Sequence, residues 1–146
     1  MTPQVRLATF ADAEPCEQLE AQLRQHNAAG RGAEAFFDEY PVSFLVDDVN
    51  GFTLVALVDS VIVGFATLHV ARLGSTVAAR IVRIYVTPLA RRVGVGDALI
   101  SAAKEHARQR GCGRIDALSL PGDRDTKNLY ERNGLTARLI VATSTL

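Results

Sequence analysis

The stretch Arg91-Arg92-Val93-Gly94-Val95-Gly96 combines the residue types and spacing best suited to chemistry in this chain. Before it runs Ile81-Val82-Arg83-Ile84-Tyr85-Val86-Thr87-Pro88, which reads as the end of a strand. After it, Val95 to Arg110 reads as a helix with Ala98, Leu99, Ala102, Ala103 and Ala107 on one apolar face and Gly111 as its stop. The first amides of a helix lack intrahelical acceptors. The helix dipole adds about half a positive charge there. Glycine lets an anion approach the backbone without a Cβ in the way. A strand, a basic glycine loop and a helix start therefore form a phosphate cradle. Two nucleotide-binding motifs fail on spacing. A Walker A loop needs a Lys after its second glycine, and none follows Gly94 or Gly96. A dinucleotide fingerprint needs Gly or Ala where Leu99 stands, close behind its strand, and seven residues separate Val86 from Gly94.

The elements that must position this loop can be read from periodicity. Val5 to Thr9 alternates as a short strand, and Phe10 to Asn27 reads as a helix with Thr9 or Asp12 at its cap and Pro15 in its first turn. Gly30 and Gly32 break it. Ala33 to Val49 reads as a short helix bearing Phe36, Phe37 and Tyr40, a break at Pro41, then a second short helix or loop. Phe52–Val58 and Val61–Leu73 form a hairpin about Asp59-Ser60, with Gly64 marking a bulge or close packing. Ala78 to Thr87 is a third long strand, Arg114 to Leu120 a fourth apolar-rich one, Asp123 to Asn133 a short helix, and Leu135 to Thr143 a last strand. Hairpin-linked strands followed by a strand-helix-strand crossover define an α/β (α+β) architecture: a mixed sheet with helices on its faces.

Within that order the loop resembles the acetyl-CoA signature of the GCN5-related N-acetyltransferases, Gln/Arg-x-x-Gly-x-Gly/Ala, at every fixed position. Asn128-Leu129-Tyr130-Glu131-Arg132-Asn133-Gly134-Leu135 resembles the family's Tyr-Glu-x-x-Gly-Phe segment, with Leu135 in place of Phe. Asp123 stands where an Asn is often seen, which puts one cofactor contact in doubt. The resemblance runs from about Phe52 to Gly134. It implies a mostly antiparallel sheet of six to seven strands with about four helices, in one domain over residues 1–146. It implies acetyl-CoA as co-substrate, a primary amine as acceptor, and direct attack in a ternary complex. Cofactor contacts would fall on Tyr85, Val86, Arg91, Arg92, Val93, Gly94, Val95, Gly96, Asp97 and Ala98. Tyr130 matches the family's general acid, and Phe37, Tyr40 and Arg83 mark the acceptor side. A homodimer through the Ala137–Thr143 edge follows from the same likeness. No general base stands out among Asp38, Glu39, Asp47, Asp48 and His69, so a catalytically weak acyl-CoA-binding module is the alternative reading. The four acids hint at a cationic acceptor.

Composition narrows the partners. The 146 residues suit one domain, and 48% hydrophobic with 22% charged residues is ordinary for a folded one. Sixteen cations, fourteen of them Arg, balance sixteen acids, so no general nucleic-acid binding is expected. Cys16 and Cys112 form no CxxC pair, no metal-ligand spacing appears, and no apolar run reaches the roughly 18 residues of a membrane span. The expectation is a cytoplasmic protein with reduced thiols, no metal and no membrane contact.

Overall fold

The computed structural model describes residues 2–41 and 47–146. Its strands are β1 (Gln4–Leu7), β2 (Gly51–Val58), β3 (Val61–Leu73), β4 (Thr76–Val86) and β5 (Arg114–Ala117). Its helices are α1 (Ala13–Asn27), α2 (Ala33–Glu39), α3 (Val95–Gln109) and α4 (Arg124–Arg132). The sheet has the order β1-β2-β3-β4-β5. Its first three pairings are antiparallel, and β5 alone runs parallel to β4, reached through α3. This is the mixed α/β sheet expected, with five strands among the described residues.

Apolar residues on both faces of β2 and β4 demand helices on both sides. One core layer joins Phe52, Leu54, Ala66, Leu68, Ala79 and Ile81 to Val95, Leu99, Ile100, Ala103 and Ala107 of α3. The other joins Val55, Phe65 and Tyr85 to Cys16, Leu19 and Leu23 of α1. Alanines on helix and sheet alike let α3 lie close. The hairpin turn holds Asp59 and Ser60 at φ of 50° and 66°, as a two-residue turn matched to strand twist requires. Gly64 is the close-approach glycine: a Cβ there would lie 2.9 Å from the Tyr85 carbonyl. A short 3₁₀ turn, Phe10–Asp12, leads into α1. Asp12 accepts from the Thr9 amide at 2.7 Å and from Arg6 at 2.7 and 3.1 Å.

The Leu135–Thr143 strand does not form. Residues 135–146 pair with no strand, and Leu139, Ile140 and Val141 stand 70–91% exposed. Arg138 instead reaches back to Asp116 on β5. A strand is defined by its neighbour, and here the outer edge of β5 has no ladder partner. The edge expected to pair with a second copy is thus absent as a strand. The second short helix or loop expected after Pro41 falls in part outside the described residues.

Candidate active site

The site begins where β4 and β5 part. They pair from Ala78 with Arg114 to Ile81 with Ala117, and Leu118 adds a last bond, its amide 3.0 Å from the Ile81 carbonyl. Beyond this point β4 continues to Val86 while the chain after β5 turns away towards α4. The register shifts here too: Leu68 faces Ile81 and Thr67 faces Arg83, so Val82 is the extra residue of a bulge. Thr87 gives its amide to Val63 on β3 at 2.8 Å. Backbone groups alternate direction along a strand, so the amide and carbonyl of Val86 point to the open side. The Val86 carbonyl accepts from Arg91 Nε at 2.9 Å. Arg91 also lies over the Tyr85 ring, 5.3 Å from its centroid. That contact turns Arg91 back across the mouth of the cleft. Arg92 is exposed.

The glycine loop supplies the donors. Arg92 and Gly94 take the left-handed region at φ of 67° and 84°. Left-handed residues beside right-handed ones make a concave nest of amides. Among the described residues the amides of Arg92, Val93, Gly94, Val95, Gly96 and Asp97 find no acceptor. They lie at the start of α3, in the loop that Arg91 ties to the end of β4, and a helix start is where an anion is stabilised. Ala98 does not belong to this set, because its amide donates to the Gly94 carbonyl at 3.0 Å. Gly94 has open space where a Cβ would be, whereas a Cβ on Gly96 would lie 3.0 Å from the Leu129 side chain. Gly94 therefore serves backbone conformation, and Gly96 serves the close passage of α3 against α4. Asp97 faces α4 as well. It accepts from Asn133 Nδ2 at 2.7 Å and Arg132 Nε at 3.0 Å, bonds that hold its carboxyl below the usual range.

Tyr130 projects from α4 into the layer between α3 and the sheet, 6% exposed. Its hydroxyl donates to the Leu118 carbonyl at 2.9 Å, on the residue that closes the β4–β5 ladder. Burial first, and the charge of Asp123 second, push this phenol well above its ordinary range. Asp123 caps α4: its carboxylate accepts from the Thr126 amide at 3.3 Å and hydroxyl at 2.8 Å. That local role accounts for an acid at this position.

The expected acceptor residues sit on the α1 face, but not as free contacts. Arg83 is 1% exposed and fully engaged. Its Nε donates to Glu20 at 2.9 and 3.0 Å, Nη1 to the Val82 carbonyl at 2.9 Å and Nη2 to the Tyr40 carbonyl at 2.7 Å. Phe36 and Phe37 flank the guanidinium at 5.1 and 5.0 Å. Desolvation lowers its pKa while Glu20 opposes the shift. Arg83 thus ties α1 and α2 to β4, which corrects the expectation of a direct substrate contact. Phe37 also packs under Arg24 at 4.7 Å. Tyr40 keeps its hydroxyl near Arg80 Nη1, at 3.5 Å. His69 pairs with Arg80 across the sheet and is half-buried. Burial, then the charge of Arg83, lowers its pKa, so its imidazole is neutral near pH 7.

Sequence reasoning missed the companions of Arg80. Arg114 and Asp116 lie two apart on β5 and so share its face. Asp116 stands opposite Arg80, 3.2 Å from its Nη2. Arg138 adds a fork to the same carboxylate at 2.8 and 3.3 Å. Burial pushes the Asp116 carboxyl up, but Arg138, Arg80 and Arg114 together outweigh it and hold the pKa low. Among the described residues no cluster of three His, Cys, Asp or Glu could hold a metal, and no helix is long and apolar enough to cross a membrane.

An opened sheet edge beside a nest of amides is the architecture of an acyltransferase of the GNAT type. The model of the acetyltransferase (GNAT) family matches residues 12–135, and the chain belongs to that family. It is 29% identical over 137 residues to an uncharacterised N-acetyltransferase, YhfO, of Bacillus subtilis (strain 168), covering 89% of this chain and 87% of that protein. The fold matches a ribosomal-protein-alanine N-acetyltransferase of Brucella melitensis biovar Abortus 2308, with a TM-score of 0.76, 23% identity and full coverage of both chains. It also matches the aminoglycoside N-acetyltransferase AAC(6')-Iy solved in complex with CoA, with a TM-score of 0.72, 19% identity and coverage of 98% of this chain and 100% of that one.

Proposed function

We propose that this protein transfers an acetyl group from acetyl-CoA to a primary amine held in the same complex. The observation that carries the reading is the free edge of β4 beyond Ile81, opening directly onto six unpartnered amides of the glycine loop. Family membership, and a fold neighbour solved with CoA, support it. Acetyl-CoA brings an activated thioester that a neutral amine attacks directly.

The chain's own groups then have distinct tasks. The amides of Arg92 to Asp97 hold the pyrophosphate, and Arg91 closes over the same end. The Val86 amide, aimed into the opening, pairs with the pantetheine arm, and the Ile84 amide, two residues nearer the end of the β4–β5 ladder and on the same side, donates to the thioester carbonyl as negative charge grows there. Holding amine and thioester together supplies much of the acceleration. Tyr130 stays protonated across the working pH because burial raises its pKa. Its hydroxyl can turn from Leu118 to the departing sulfur. A thiol titrates near 8.5, well below a buried phenol. Complete proton transfer from Tyr130 is therefore uphill, and its main contribution is a hydrogen bond. His69, neutral and on the acceptor face, is the base that takes up the amine's proton, directly or through water.

The test is calorimetric titration of acetyl-CoA and CoA, with Val93→Glu as the control. Val93 is 45% exposed with its amide free, so the substitution brings negative charge to the nest while removing little packing. The wild type is expected to bind, and the variant to lose affinity by about tenfold or more, the equivalent of about 1.4 kcal/mol. Equal affinity in the two would refute the assignment of the loop.

A further inference from the structure

We propose that the acceptor amine carries a carboxylate, recognised by Arg80, Arg114 and Arg138. The inference rests on the acetyl-transfer reading for its amine and on the cluster itself for its anion. Arg80 and Asp116 lie one residue before Ile81 and Ala117, on the α1 face, immediately behind the point where β4 and β5 separate. Arg114 Nε is 3.3 Å from Asp116 Oδ1, and Arg80 and Arg138 share the same carboxylate. Three guanidinium groups thus meet one carboxylate, leaving an excess of two positive charges. In donor terms, about fifteen N–H groups face about four acceptor positions.

Asp116 therefore cannot satisfy the cluster. The buried side-chain polar atoms without a hydrogen-bond partner among the described residues are Arg80 Nε and Arg114 Nε. Arg114 approaches Asp116 but is misaligned and makes no hydrogen bond to it. Among the described residues Arg80 Nη1 has only a long 3.5 Å contact to the Tyr40 hydroxyl. Their outer ends are accessible: the side chains of Arg80, Arg114 and Arg138 are 26%, 38% and 50% exposed. Nearby Arg83 is paired with Glu20, which Arg24 shares, so among the described residues no carboxylate there offsets the excess. Buried donors left unpaired are costly and demand a partner. A planar carboxylate suits two guanidinium forks at once.

The positive field reverses the hint of a cationic acceptor given by Asp38, Glu39, Asp47 and Asp48. Asp38 and Glu39 are exposed on α2, and Asp47 is paired with Arg110. A polycationic amine entering beside Arg80 meets like charge. An amine whose carboxylate docks on the arginines is drawn in with its nitrogen towards the opening.

The experiment has two arms. In the first, CoA release is followed with acetyl-CoA and matched amines: β-alanine against β-alaninamide, γ-aminobutyrate against its amide, phosphoethanolamine against ethanolamine, and spermine. The carboxylate member is expected to exceed its amide by about 10- to 100-fold in kcat/KM, the range of one or two charge-assisted hydrogen bonds. Arg138→Gln, in the exposed C-terminal segment, and Arg80→Gln are expected to shrink that ratio. In the second arm glutarate, which has no amine, is titrated into the protein at constant ionic strength. Wild-type binding that Arg138→Gln weakens supports the site even if no amine is turned over. Equal rates within each pair, a preference for phosphoethanolamine or spermine, or glutarate binding indifferent to Arg138→Gln overturns the proposal. Failure of acetyl-CoA to bind is a separate result. It sinks the transfer reading and leaves the glutarate arm to decide the anion site.

Discussion

Replacing Tyr130 with Phe separates the catalytic role proposed for this residue from its structural one. The substitution removes one oxygen and keeps the ring that packs between α3 and the sheet. The lost bond is the 2.9 Å contact to the Leu118 carbonyl. Leu118 is only half-buried, so its carbonyl can be rehydrated, and the cost falls near the ~1 kcal/mol of an ordinary hydrogen bond. For a domain of this size that is a fall in Tm of roughly 2–4 °C. Acetyl-CoA affinity should stay within about twofold, ~0.4 kcal/mol, because the loop amides are untouched. Turnover should fall by roughly 10²-fold, the lower end of the range for a positioned proton donor, because the raised pKa makes full proton transfer unfavourable. The assay is CoA release under saturating acetyl-CoA, beside calorimetry and a thermal melt on the same sample. Wild-type turnover in a folded variant refutes the role. A large loss of affinity with unchanged turnover places Tyr130 in binding instead.

Two further outcomes test the framework of the site. The Arg6 hydrogen bonds, with the Thr9 amide, lower the Asp12 pKa from 3.8 to about 2. A depressed carboxyl stabilises the fold above its unfolded pKa and loses that effect as pH falls through the folded one. Asp12→Asn should therefore cost about 2 kcal/mol in urea unfolding at pH 7, with the gap closing between about pH 4 and pH 2; a gap that persists at pH 2 would contradict the assignment. Gly96→Ile should drive its side chain against Leu129 and cost roughly 1–3 kcal/mol. Gly96→Ile with Leu129→Ala should recover part of that loss, and strict additivity in the double-mutant cycle would show that the two sites are not coupled.

Local pattern was enough to read most of the elements and the free amides of the glycine loop. Apolar, β-branched runs bounded by turn residues placed β2, β3 and β4, and small residues at helical spacing placed α3, because burial on both faces of a strand and on one face of a helix writes itself into the sequence. The order Arg91 to Gly96 ahead of that helix pointed to those amides, since free amides at a helix start are a property of a few consecutive residues. Tertiary structure decided what depends on residues far apart in sequence. Leu135–Thr143 has strand composition yet joins no ladder among the described residues, although the outer edge of β5 is open and Arg138 reaches Asp116 on it, because composition does not fix a pairing register. Arg83 reads as an available cation until Glu20, 63 positions away, and the Tyr40 carbonyl occupy its donors. Arg80, Arg114, Asp116 and Arg138 are scattered along the chain and become one charged site only when β5 is laid beside β4. Net charge sums to zero over the chain and cannot reveal such an excess, because electrostatic recognition depends on which charges are neighbours.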